Sequence, residues 1–240
     1  MNPLIRSVAV LSATALVMIA VPRPALAFND AQFWNQFSGT LPEGLETWTW
    51  IGDQRPGFPN TPPHDSSSAI RVETGLDMNA NTLQLGIDQS EVWAGDKYAN
   101  FYYEIDGPNG ISRDYAGDAS SYLETNVAYE ISYDNYNSEG DWHFKIWNSA
   151  GVINEYYLYP PAGASYGSQV WAGEVEVDDE NTCTYSSYWD YFGPVEALVG
   201  GLWGDFAGAG WYSTSYNGCG YLPHYMGDIN NGDTTALAIY

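Results

Sequence analysis

Two short segments set out polar side chains in a way that suits acid–base chemistry. In Thr82-Leu83-Gln84-Leu85-Gly86-Ile87-Asp88, the two-residue period of a strand sends Leu83, Leu85 and Ile87 one way. Thr82, Gln84, Gly86 and Asp88 go the other way. In the stretch from Val170 to Asp178, Val175 and Val177 face a core, and Glu174, Glu176 and Asp178 form a row of three carboxylates on the opposite side. Such a row is either a solvated sheet face or the floor of a cleft. In a cleft, crowded like charges raise one another's pKa until one acid is useful for proton transfer. Gly86 and Gly173 favour the cleft, because glycine inside a strand costs stability and marks the close approach of another backbone or a ligand.

Other catalytic devices are missing from the sequence. There is no Gly-x-Ser-x-Gly elbow and no His-Glu-x-x-His pair. His64, His143 and His224 are scattered, and with two cysteines they give no zinc-ligand spacing, so neither a metal nor a cofactor is expected. Asp178-Asp179-Glu180-Asn181 offers oxygen ligands that suit Ca²⁺, or is simply a solvated acidic loop.

The elements that must position these residues read as strands. Short alternating runs separated by Gly, Asn, Asp and Pro dominate, and no helical period persists. Val127–Asp134, Trp142–Trp147 and Val152–Leu158, joined by tight turns, form a three-stranded meander. Further strands are expected at Thr47–Ile51, Ala69–Leu76, Thr82–Asp88, Asn100–Ile105, Gln169–Val177 and Thr235–Ile239. Phe28–Phe37 reads as a short helix or an extended arm, and Gly200–Gly210 is ambiguous. This pattern predicts an all-β, two-sheet antiparallel β-sandwich or jelly roll of the concanavalin-like kind.

Residues 1–27 read as a secretory signal peptide. Arg6 precedes an apolar run from Val8 to Val21, and Ala25-Leu26-Ala27 supplies a small-residue cleavage site. At about 14 residues the run is too short to span a bilayer, which needs roughly 20. Residues 28–240 then form a single secreted domain. The whole chain carries a formal charge of −23, and losing Arg6 and Arg23 makes it more acidic still. Such a surface repels nucleic acid and anionic membranes, and suits work in acid. An oxidising destination pairs Cys183 with Cys219, closing a loop of about 37 residues worth roughly 3–4 kcal/mol. Two free buried thiols are the alternative. A monomer is expected.

Leu83-Gln84-Leu85-Gly86-Ile87-Asp88 resembles the segment of the eqolisin glutamic peptidases that carries their catalytic glutamine, a Gln-x-Gly-Val-Asp-like strand. Ala172-Gly173-Glu174-Val175-Glu176-Val177 resembles their Ala-Glu-(Trp/Val)-Ile-Val-Glu strand, which carries the catalytic glutamate. Between them, Phe101-Tyr102-Tyr103-Glu104 and the Gly140-Asp141 turn keep a similar order. Trp171–Val175 and Gly140–His143 also echo the neprosin-type glutamic peptidases. The resemblance covers roughly residues 70–200. The family's Trp-Val-Gly-Ile-Asp-Gly motif stands here as Glu73-Thr74-Gly75-Leu76-Asp77-Met78, without its tryptophan, so the resemblance is to a divergent or non-catalytic relative.

The resemblance implies that Glu174 and Gln84 are the catalytic residues, with Glu176 and Asp178 as accessory groups and a polypeptide as substrate. Glu174 would take a proton from an attacking water, and Gln84 would orient that water and stabilise the oxyanion. Three other readings compete. Ten Trp and 20 Tyr suit a glycan-binding module without catalysis. Two of Glu104, Glu174 and Glu176 would suit a glycosidase. A structural surface protein needs none of them.

Overall fold

The computed structural model describes residues 29–36, 42–53, 55, 64–74, 81–93, 95–107, 110–134, 141–158, 166–177, 190–205, 212–216, 224–228 and 235–239. Residues 1–27, which the sequence reads as a signal peptide, and Asp178, Cys183 and Cys219 lie outside them.

The described chain runs β1 (Asn29–Gln36), β2 (Gly44–Trp50), β3 (His64–Thr74), β4 (Thr82–Trp93), β5 (Asp96–Gly107), β6 (Gly110–Asp118), β7 (Asn126–Asp134) and β8 (Asp141–Asn148). It continues through β9 (Gly151–Leu158), β10 (Gly167–Val177), β11 (Asp190–Val199), β12 (Leu202–Asp205), β13 (Tyr212–Tyr216), β14 (His224–Asp228) and β15 (Thr235–Ile239). The first sheet has the order β13-β1-β10-β3-β4-β5-β6, and the second has the order β14-β15-β11-β2-β7-β8-β9, with β12 pairing β11. Pairing is antiparallel throughout, so the fold is the expected all-β sandwich. The meander β7-β8-β9 forms as its alternation predicts. Asn29–Gln36 is a strand rather than a helix: it pairs β10 on one side and β13 on the other.

Period-two patterning explains how the sheets meet. Ile70, Val72, Leu83, Leu85, Ile87 and Phe101 point inward from the first sheet, and Leu45, Tyr129, Ile131, Phe144 and Phe192 point inward from the second. Each aliphatic side chain buried this way contributes about 1.5–3 kcal/mol. Asp190, fully buried at the start of β11, accepts hydrogen bonds from Ser68 Oγ (2.6 Å) and Gly52 N (2.8 Å), tying the two sheets together. The Tyr103 ring stacks on Tyr156 at 4.2 Å, and Asn154 Nδ2 donates to the Ala116 carbonyl at 2.6 Å, closing the side formed by β6 and β9. Gly200 and Gly201, at φ +58° and +78°, make the tight β11–β12 turn that only residues tolerant of positive φ can make.

Candidate active site

Gln84 lies on the outer face of the first sheet, turned away from the core that its neighbours Leu83 and Leu85 enter. Directly opposed residues in an antiparallel sheet share a face, so register defines two rows across it. One row runs Trp171, Arg71, Gln84, Glu104 and Arg113 through β10, β3, β4, β5 and β6. The next row runs Glu174, Ala69, Gly86, Tyr102 and Tyr115 through the same strands.

Position 174 therefore falls on the Gln84 face, two strand steps away. The two strands are not neighbours: β3 lies between β10 and β4. Strand spacing sets the two backbones about 10 Å apart across the sheet, with an offset of about 7 Å along it. Between them lie Ala69 and Gly86, together with Arg71, which opposes Gln84 on β3. Position 176 opposes Ser67 and so shares the face as well.

A β-bulge sets this register. Trp171 opposes Arg71 and Glu174 opposes Ala69, so β10 spends one extra residue where β3 spends none. The register of β1 shifts at the same place, between Phe33 and Trp34. A bulge re-aims the residues that follow it, and bulges are common beside active sites. The bulge also turns Gly173 inward, where a Cβ would meet the Phe192 ring at 2.6 Å. At Gly86 a Cβ would meet the Ser68 carbonyl oxygen at 2.3 Å and Ala69 Cβ at 2.7 Å. Both glycines thus answer to protein packing, an aromatic ring in one case and a neighbouring strand in the other.

Gln84 is held firmly. It is 6% exposed, and its Nε2 donates to Tyr102 Oη at 2.6 Å. One amide N–H is thereby committed, which leaves the second N–H and the carbonyl oxygen for other partners. Tyr102 is itself fully buried, with the Arg113 guanidinium 4.4 Å above its ring centroid. Arg113 Nε donates to Glu104 Oε2 at 2.6 Å, and Nη1 lies 3.8 Å from Asp88 Oδ2. Burial works against the Arg113 charge, but Tyr102, Glu104 and Asp88 outweigh it and hold the guanidinium firmly protonated. Tyr115 Oη donates to Asp88 Oδ2 at 2.8 Å, and burial followed by that carboxylate raises the phenol's pKa. Asp88 Oδ1 is buried with no hydrogen-bond partner among the described residues.

The arrangement is a rigid polar platform in which one amide has spare donor and acceptor capacity, on the same sheet face as position 174. Glu104, a candidate for glycosidase chemistry, is engaged by Arg113. Tyr102, Arg113 and Tyr115 were not singled out as site residues by the sequence. The aromatic run around Tyr102 was a usable signal, whereas the β6 pair had none. Among the described residues no group of three or more His, Cys, Asp or Glu side chains is placed to hold a metal ion. No protein-family model matches the chain, and no curated protein matches it.

Proposed function

We propose that the protein is a secreted, acid-active endopeptidase in which Glu174 and Gln84 activate water for attack on a peptide bond. The observation that carries this reading is register: residue 174 and Gln84 share one face of one sheet, with Ala69, Gly86 and Arg71 between them. A carboxylate at 174 takes a proton from the water and returns it to the leaving amine. The free N–H of Gln84 donates to the oxyanion as it forms, a contribution typically worth 10²–10³ in rate. Tyr102 fixes the amide beforehand, so reorganisation during the reaction is small. Sequence likeness to glutamic peptidases at both segments supports the same assignment.

The test is to incubate the purified mature protein with an unfolded protein between pH 2 and 7 and follow fragmentation. Cleavage strongest in acid and abolished in Glu174→Gln supports the reading. No cleavage at any pH leaves the glycan-binding alternative.

A further inference from the structure

The outer face of the second sheet carries a separate ordered set of ionisable groups. Register aligns Glu196, Glu46, Glu130, Lys145 and Glu155 across β11, β2, β7, β8 and β9. Directly opposed side chains have Cβ atoms about 4.5–5.5 Å apart, so Glu46 has a carboxylate on either side. Lys145 is the only cation in the row, and it is committed elsewhere: its Nζ lies 3.1 Å from Glu130 Oε2. Ser132 Oγ donates to the other Glu130 oxygen at 2.8 Å. Glu46 makes no hydrogen bond or ion pair among the described residues. One row along, Trp48 and Trp147 pack edge to face at 5.0 Å across the fully buried Ala128, and Lys145 sits 5.3 Å over Trp147. This wall shields the row from water on that side.

We propose that Glu46 is a proton-dependent fastener of the second sheet, neutral where it joins β7 and β11 and repelling both strands once it loses its proton. Burial first, then Glu130 and Glu196, push its pKa from 4.5 up to about 7, against the pull of Lys145. Between those two values the folded protein holds a proton that the unfolded chain has released. Stability from this group is therefore greatest below about 4.5, falls as pH rises through the window, and is level above it.

The other groups near this region are His143 on β8, opposite Ser132, Glu155 on β9, Asp134 at the end of β7, and Asp205 on β12, which opposes Glu196 in register. His143 works in the opposite sense. Burial lowers its pKa, against Glu130 and Glu155, so its contribution grows as pH rises toward the ordinary histidine range. A whole-protein stability curve mixes the two effects, and only a difference between variants isolates Glu46.

β11 links this face to the candidate active site. Glu196 faces outward on it, while Phe192 faces inward onto Gly173, the residue before Glu174. Loosening β11 from β2 withdraws the ring that seats the β10 bulge. This consequence for activity rests on the peptidase reading, whereas the fastener itself does not.

The test is thermal unfolding of the mature wild type, Glu46→Gln and Glu196→Gln from pH 4 to 8 at constant ionic strength. The folding equilibrium of the wild type should weaken relative to Glu46→Gln by about 10–10²-fold across the window, a size discounted for partial solvent screening. Glu196→Gln should end the fall at lower pH. Parallel wild-type and Glu46→Gln curves would overturn the proposal. If Glu46→Gln does not fold, ¹³C NMR titration of the Glu46 carboxyl in the wild type decides: a midpoint near 7 sustains it, and one near 4.5 overturns it. The readout is unfolding, so a failed peptidase assay leaves it intact.

Discussion

Gln84 Nε2 donates to Tyr102 Oη at 2.6 Å, and both side chains are buried on a sheet face that points away from the hydrophobic core. A buried amide pinned in this way has one orientation. Tyr102→Phe keeps the ring beneath Arg113 and removes only the hydroxyl, so Gln84 is free to rotate. The expected result is a fall in kcat of about tenfold with KM nearly unchanged, matching the net worth of one hydrogen bond. In a Gln84→Ala background the same substitution should cost nothing further, because the two act as a unit. An equal loss in both backgrounds would assign Tyr102 a role unrelated to the amide.

Arg113 is the cation on which Glu104 and Asp88 converge. Arg113→Met preserves much of the side-chain packing but leaves two carboxylates without it. Destabilisation by about 1–3 kcal/mol is expected, less than for a fully buried pair because Arg113 is partly exposed. Adding Glu104→Gln should recover part of the loss. Denaturant unfolding of the single and double variants measures both.

Gly173 is a packing glycine under the Phe192 ring. Gly173→Ala drives a methyl group into that ring and should destabilise by about 1–3 kcal/mol, as overpacked cores do. Phe192→Leu in the same chain should relieve the clash, so that the double variant is more stable than Gly173→Ala alone. Additive losses in thermal unfolding would show that the ring is not the obstacle.

Cys183 and Cys219 are expected to be joined by a disulfide. Alkylation without reduction should modify neither, and reduction should expose two thiols and lower stability by about 3 kcal/mol. Two alkylatable thiols in the unreduced protein, seen by mass spectrometry, would remove the bridge.

The strands whose one face enters the core were legible in the sequence. Thr82–Asp88 and Val127–Asp134 alternate because Leu83, Leu85, Tyr129 and Ile131 face inward while Gln84 and Glu130 do not. β6 was not legible, because an edge strand with both faces largely open has no reason to alternate. β11 was hidden by Gly193-Pro194, which a bulge between Phe192 and Val195 absorbs. Strand order is a long-range property that no local pattern encodes. Alternation therefore puts positions 84 and 174 on outward faces, but neither their membership of one sheet nor the β3 strand between them is encoded locally. The ladder through Glu46 was invisible for the same reason, since Glu46 and Glu196 lie far in the chain from the meander that carries Glu130, Lys145 and Glu155.

The central claim is tested most directly by a pH–rate profile of wild type, Glu174→Gln, Gln84→Ala and the double variant on one quenched peptide. Each single variant should lose at least 10²-fold in kcat while its near-ultraviolet circular dichroism stays native, and the double variant should lose scarcely more than the worse single one. Wild-type activity should be highest in acid. Full activity in Glu174→Gln, or losses that multiply in the double variant, would contradict a shared water held between the two groups.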